Sequence, residues 1–350
     1  MRAIVFDQPK SFSLQELPDP EPGFREVRVR VEAVGLCGTD VHVLDGEFAP
    51  TRYPIIPGHE TSGIVDQVGA GVTELAVGDP VSVDPTFTCG ECSFCTVGRS
   101  NLCENWDGAG AARTNGSVSE LYVAPVRNVH RLPDHVDLAL AAMIEPLSCA
   151  IHGFDLLPRR LGEHYLIYGA GTMGLLMAQL APRAGAASVT VLDRNPSRLD
   201  AARDVGIGQV ATTVDELSTD RARRTGWDVV IDCTGVLAAI EDGLTRVKRG
   251  GTFQQFGVAA ADATASFSPF KIYNDEITVA GSMAVLHSYA RAVEMFAAGA
   301  IRAEAMVSHA FALEDYGEAL EMFRAGTGRK LQIRPRACQS QQLGPVSVPA

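Results

Sequence analysis

Hydrophobic and polar positions divide the chain into three textures. In the first, Glu26-Val27-Arg28-Val29-Arg30-Val31-Glu32 alternates strictly, the mark of a strand with one buried face. Residues 63–69 and 79–84 read as further strands between turns, and twelve of the 19 prolines fall within the first 150 residues. That stretch is predicted to be β-rich and loop-rich.

From about residue 165 the pattern changes. Tyr165–Tyr168, Ser188–Asp193, Val210–Thr212, Asp228–Cys233, Thr252–Phe256 and Ile277–Ala280 are apolar runs of strand length. Between most of them lie helical patterns over Met173–Ala184, Ser197–Val205 and Leu237–Val247. Such alternation predicts a doubly wound parallel sheet, an α/β architecture. Residues 265–274 are less regular and are expected to form a loop.

After about Met283 come two amphipathic helices, Ser288–Ala298 and Leu313–Arg324, and a short strand, Lys330–Ile333. The polar stretch from about residue 339 to Ala350 has no periodicity and is expected to be disordered. No internal repeat is apparent. The patterning therefore marks three regions along the chain.

Length and composition fit that division. At 350 residues, 46% hydrophobic and 21% charged, the chain can bury two cores. A net charge of −12 argues against a nucleic acid or an anionic membrane as partner. The start, Met1 to Asp7, lacks the apolar run of a signal peptide, and no apolar segment reaches membrane-spanning length. The expectation is a cytoplasmic protein, where clustered cysteines favour metal over disulfide.

The cysteines cluster sharply. Cys89, Cys92, Cys95 and Cys103 form a C-x2-C-x2-C-x7-C array among turn-prone residues. Four closely spaced thiolates can close a tetrahedron about one zinc; buried core cysteines rarely recur every third residue in a loop. An iron–sulfur cluster is the lesser alternative. Cys149, Cys233 and Cys338 stand apart and read as core or tail residues.

A different metal chemistry is suggested by Cys37 and by Gly58-His59-Glu60. A catalytic zinc keeps a position open and takes about three protein ligands; a thiolate, an imidazole and a carboxylate are all offered here. Nearby Thr39, Asp40 and His42 add a hydroxyl, a carboxylate and a second imidazole.

A nucleotide site is indicated by Gly169-Ala170-Gly171-Thr172-Met173-Gly174. It follows the apolar run Tyr165–Tyr168 and opens a helical pattern, the context a dinucleotide turn requires. Gly169 permits the turn, Gly171 admits the pyrophosphate, Gly174 allows close packing, and the helix N-terminus meets the phosphates. Nineteen residues after Gly174, Asp193 ends an apolar run, placed to accept from ribose hydroxyls and repel a 2′-phosphate. That favours NAD over NADP, with Arg194 and Arg198 as adenine contacts or as solvent-facing cations. Thr234, Gly257 and Val258 end later strands and are expected to line the cofactor cleft.

Together, Cys37-Gly38-Thr39-Asp40-Val41-His42, Pro57-Gly58-His59-Glu60, the cysteine array, Glu145-Pro146-Leu147-Ser148, Gly169–Gly174 and Val279-Ala280-Gly281-Ser282 resemble the zinc-containing medium-chain dehydrogenases across residues 1–335. Glu145 with its neighbours resembles the sorbitol and polyol branch. The resemblance implies a Rossmann domain over 148–285 plus a β-rich GroES-like catalytic domain over 1–147 with 286–350, and two zincs and one NAD per subunit. It implies a catalytic zinc held by Cys37 and His59, with Glu60 and Glu145 ligating the ion or holding its water. It further implies proton relay by Thr39, with His42 as a plausible next station; Asp40 would orient His59.

The implied reaction is oxidation of a secondary hydroxyl in a polyol, cyclitol or sugar-derived small molecule. Alternatives are a threonine-type amino-alcohol dehydrogenase and a non-catalytic NAD-binding protein. Ala284-Val285 stands where sorbitol dehydrogenases resemble one another in an Arg-Tyr pair, which argues against sorbitol itself. Phe48, Trp106 and the loop from Gly108 to Thr114 are candidate substrate contacts, with Arg113 a candidate anion contact. A homo-oligomer, a tetramer by resemblance, is expected.

Overall fold

The computed structural model describes all residues except 49–50, 218–220 and 344–350. The chain divides into two compact units. One comprises Met1–Ser148, Val285–Gly299 and Val307–Ala350; the other, Cys149–Ala284 and Ala300–Met306.

The first unit is built on an eight-stranded sheet. In spatial order its strands are Gln341–Gln342, Val307–Phe311, Lys330–Ile333, Glu26–Gly35, Glu60–Val68, Pro80–Val83 and Val129–Arg131, with Leu121–Pro125 also paired to Glu26–Gly35. The alternation in Glu26–Gly35 is realised residue by residue: Val27, Val29 and Val31 are fully buried, and Arg28 and Arg30 lie half-buried opposite them. The buried valines join Ile4, Phe6, Ile55, Val81, Phe311 and Tyr316 in one apolar core. Burying side chains of this kind contributes roughly 1.5–3 kcal/mol each before chain entropy is counted.

A short helix, Gly38–Asp45, leaves the end of Glu26–Gly35. Its N-terminus is fixed by Asp40, whose Oδ2 accepts the Cys37 backbone N–H at 2.9 Å, reciprocal capping that satisfies an otherwise orphaned donor. Gly46, at φ 79°, ends it in the left-handed conformation that glycine adopts without a Cβ penalty. The chain then turns back, and Glu47 N bonds to His42 O at 2.9 Å.

The second unit is a six-stranded parallel sheet. Its order is Gln209–Ala211, Ser188–Leu192, His164–Tyr168, Trp227–Asp232, Val247–Gln255, Thr278–Gly281. This is the 3-2-1-4-5-6 order of a dinucleotide-binding fold, with the topological switch beside the first strand. The helices Thr172–Leu180, Pro196–Asp204 and Leu237–Arg246 connect successive strands.

Three local readings need correction. Residues 265–274 are not all loop: Pro269–Asn274 is helical, with Ser268 Oγ accepting the Lys271 N–H and proline at the first helical position, a combination that starts helices. The strand Val247–Gln255 begins five residues earlier than expected, because Val247 pairs with Trp227 before an irregularity in the ladder. The tail beyond residue 339 is ordered at its start, where Gln341 and Gln342 pair with Ala310 and His309. The expectation for residues 344–350 falls outside the described residues.

Candidate active site and metal centres

In the first unit, the Cys89–Cys103 loop folds the four thiols into one cluster. No disulfide forms, and the sulfurs of Cys89 and Cys103 lie 3.4 Å apart, Cys92 and Cys103 3.9 Å, Cys89 and Cys95 4.0 Å. A tetrahedron with a zinc–sulfur bond of about 2.3 Å has sulfur–sulfur edges of roughly 3.8 Å, so the cluster fits that ion. Backbone N–H groups of Glu91 and Cys92 hold the Cys89 thiol down at about 6, favouring the thiolate a metal needs. Desolvation pushes Cys95 up to about 12; an ion's charge would reverse that.

The second group comprises Cys37, His59 and Glu60, whose ligand atoms lie within 4.8 Å of one another. Cys37 comes from the turn before the short helix. His59 and Glu60 come from the entry to Glu60–Val68, paired to the same neighbouring strand. Thr39 Oγ1 lies 3.7 Å from Cys37 Sγ. His59 is nearly buried, and its Nδ1 has no hydrogen-bond partner although Asp40 Oδ1 lies 3.6 Å away. Burial presses the imidazole's pKa down, but Asp40 and Cys37 outweigh it and the net direction is well upward. A cation is what this pocket favours.

Asp40 is fully buried and bonds two backbone N–H groups, that of Gly58 through Oδ1 at 3.2 Å and that of Cys37 through Oδ2. It thus ties both ligand-bearing segments together.

Glu145 lies in the first turn of helix Ile144–Asp155 and is buried. Its charge acts on both His59 and Lys330, while its carboxylate falls outside the three-residue group.

Lys330 was not singled out in the sequence, yet it is central. At 3% exposure its ammonium pairs with Glu60, itself 2% exposed; Nζ lies 2.6 Å from Glu60 Oε1 and donates to Leu36 O at 2.9 Å. Gly35 makes the room: a Cβ there would sit 1.9 Å from Glu60 Oε2 and 2.7 Å from Lys330 Cε. The partners are 270 positions apart, so no local pattern announces them. Glu60 therefore has two uses, metal ligand or counter-ion.

His42 is half exposed, its Nδ1 2.7 Å from Glu47 Oε2. Glu47 was also missed, although Gly46 after a helical run signals a chain reversal that returns the next residue toward the last turn. Phe48 and Trp106 pack edge to face at 6.5 Å. Ala109 and Ala111 are buried in the core, so much of that loop is packing. Arg113 clamps its own loop, donating to Asn105 O and Trp106 O at 3.1 Å each. Those bonds brace the loop around Arg113.

In the second unit, Gly169 holds φ 99°. A Cβ on Gly174 would meet Gly169 O at 1.8 Å, while one on Gly171 would meet nothing within 4 Å. Close packing therefore requires glycine at 174, and open space stands before the N-terminus of Thr172–Leu180, where Gly171 is the cap and Thr172 and Met173 form the first turn. Such a helix start with open space before it suits the phosphates of a dinucleotide.

Asp193 Oδ2 accepts from Ala170 N and Oδ1 from Asn195 N, each at 2.8 Å. Arg198 approaches it at 3.9 Å, and Arg194 is exposed. Thr234, Gly257 and Val258 follow strand ends in the same sheet.

Comparison with known proteins agrees with both units. Residues 23–134 match the alcohol dehydrogenase GroES-like domain and residues 172–298 the zinc-binding dehydrogenase domain. The chain belongs to the zinc-containing medium-chain dehydrogenases, in the polyol dehydrogenase branch, and is an oxidoreductase. It is similar to D-arabinitol dehydrogenase 1 of Uromyces fabae, 34% identical over 326 residues that cover 90% of this chain and 91% of that one. L-threonine 3-dehydrogenase of Sinorhizobium medicae is 37% identical over 272 residues, covering 75% and 78%. A zinc-binding dehydrogenase from Sinorhizobium meliloti, solved bound to NADP, superposes with a TM-score of 0.89 at 33% identity, covering 95% and 99%.

Proposed function

We propose that this protein oxidises a secondary hydroxyl of a polyol, cyclitol or sugar-derived substrate to a ketone with NAD. The convergence of Cys37, His59 and Glu60 beside Thr39 carries that reading. The fuller coverage by the arabinitol dehydrogenase favours a polyol over an amino alcohol, which is the alternative. A non-catalytic NAD-binding protein would have no use for this ligand set.

Cys37 and His59 hold the catalytic zinc, with Glu60 and Glu145 as the carboxylates that ligate it or hold its water; Cys89, Cys92, Cys95 and Cys103 hold the structural one. When bound, zinc supplies Lewis acidity toward the substrate hydroxyl. Asp40 fixes the two ligand segments, and Thr39 relays the hydroxyl proton, accepting it at Oγ1 as it gives up its own. His42, held by Glu47, passes it to solvent. Gly169, Gly171, Thr172, Met173 and Gly174 receive the pyrophosphate. Asp193 bonds the ribose and disfavours a 2′-phosphate, with Arg194 and Arg198 flanking the adenosine, and Thr234, Gly257 and Val258 line the nicotinamide half.

The catalytic domain is residues 1–147 with 286–350, and the NAD-binding domain 148–285. The protein works in the cytoplasm as a homo-oligomer, a tetramer by family resemblance. Support for self-association comes from Thr278–Gly281, an edge strand carrying exposed Val279 near exposed Phe270 and Tyr273 in sequence.

The test is zinc content per subunit together with NAD reduction against polyols and amino alcohols. About two zincs and turnover of a polyol group support the reading. Turnover of L-threonine alone selects the alternative, and one zinc without turnover overturns the enzyme.

A further inference from the structure

A buried charge sits among the turns that receive the cofactor. Asp232 ends the strand Trp227–Asp232 and has 0% exposure. Its Oδ1 accepts from Thr234 N at 3.1 Å and Thr234 Oγ1 at 2.6 Å. Its Oδ2 accepts from Gly235 N and Gln255 Nε2, both at 2.8 Å. All four bonds come from donors, which suits an acceptor-only carboxylate. Among the described residues it has no lysine, arginine or histidine as an ion-pair partner.

Such a group ties two segments together. Gln255 Nε2 also donates to Gly257 O at 2.7 Å, and the Asp232 backbone carbonyl accepts from Gly257 N at 2.8 Å. A Cβ on Gly257 would stand 2.4 Å from Gly235 N and 2.8 Å from Asp232 Oδ2. A Cβ on Gly169, the first glycine of the nucleotide turn, would meet Thr234 Cγ2 at 3.0 Å. The carboxylate thus lies directly behind Thr234-Gly235 and Gly257, and the next residue, Val258, is 78% exposed. Strand C-terminal ends at this place in the sheet receive dinucleotides.

Hydrogen bonding alone does not call for a charge, since neutral acceptors also cap turns. Taking an uncompensated anion out of water is costly. Its field does distinguish the two states of the cofactor. In the reaction, the carbinol carbon gives a hydride, one hydrogen with two electrons, to nicotinamide C4, and the hydroxyl proton leaves separately. The ring goes from a net positive charge to neutral.

We propose that Asp232 is a positioning residue whose fixed charge makes this protein hold NAD⁺ more tightly relative to NADH, favouring cofactor capture and NADH release in the oxidative direction. This rests on the reading of the second unit as an NAD site.

The experiment measures Kd for NAD⁺ and for NADH on the zinc-loaded whole protein without substrate, by calorimetry and NADH fluorescence. Asp232→Asn should lower the ratio Kd(NADH)/Kd(NAD⁺) at least about threefold, the direction a lost buried charge dictates. Gln255→Leu removes one of the carboxylate's four bonds, together with the bond to Gly257 O, and keeps the charge, so its ratio should stay at the parent value. Gln255→Lys sets a cation against the carboxylate and should lower the ratio even if Asp232→Asn does not fold. Weakening of both cofactors with an unchanged ratio in Asp232→Asn and Gln255→Lys would overturn the proposal. If the parent protein binds neither cofactor, the NAD reading itself fails.

Discussion

Replacing Lys330 by methionine removes the cation that pairs with Glu60 in a pocket where both side chains are almost wholly buried. Methionine keeps the aliphatic volume but leaves a carboxylate at 2% exposure without its partner and Leu36 O without its donor. Stripping one member from a buried ion pair costs about 3–5 kcal/mol, mostly the penalty of the charge left behind. The lost bond to Leu36 is included in that range.

In excess chelator, Lys330→Met should therefore lower the urea unfolding free energy of the first unit by about 3–5 kcal/mol, followed by the fluorescence of Trp106, which lies in that unit. Lys330→Met with Glu60→Gln should recover about 2 kcal/mol or more, because no bare charge remains. With zinc present the single variant should bind the ion more tightly than the parent, since Glu60 is released from its counter-ion. A cost below about 1 kcal/mol with no coupling to Glu60 would refute the reasoning. The pair also sets a pH limit. Burial lowers the Lys330 pKa, Glu60 with Cys37 and Glu145 more than restores it, and the net direction is upward. The stabilisation is thus complete below the ordinary lysine value and lost as pH rises through the raised one.

Cys37→Ser should abolish turnover with little change in urea midpoint, whereas Cys92→Ser should destabilise the cysteine loop; equal destabilisation by both contradicts two distinct metal roles. Asp193→Ala should narrow the preference for NAD over NADP in kcat/KM, and an unchanged ratio removes Asp193 from ribose recognition. Asp84, largely buried, has its pKa raised to about 6 by burial against the opposing hydrogen bonds from Thr86. Its folded-state value exceeds the unfolded one, so it costs stability progressively as pH rises from about 4 to 6. Asp84→Asn should stabilise the protein by up to about 3 kcal/mol at pH 8 and by well under about 1 kcal/mol at pH 4; equal shifts at both pH values would count against that burial.

Much of this protein is legible in its sequence wherever the information is local. The alternation in Glu26–Gly35, the glycine turn after Tyr165–Tyr168 and the cysteine array are statements about neighbours in sequence, and backbone geometry and ligand spacing convert them directly into a strand, a cradle and a cluster. Helix Pro269–Asn274 reads as loop in the sequence although Ser268 and Pro269 mark a helix start, because six residues are too few to show a helical period.

What only the tertiary structure decided is which distant groups share a pocket. Lys330 reaches Glu60 because strand order places Lys330–Ile333 beside Glu26–Gly35 and Gly35 leaves space. Asp232 gathers Thr234, Gly235 and Gln255 because two parallel strands end level. Sequence determines the chemistry each residue can perform and the element it occupies. Burial and pairing across the chain determine what that chemistry costs, and so whether a carboxylate serves a metal, a lysine or a cofactor.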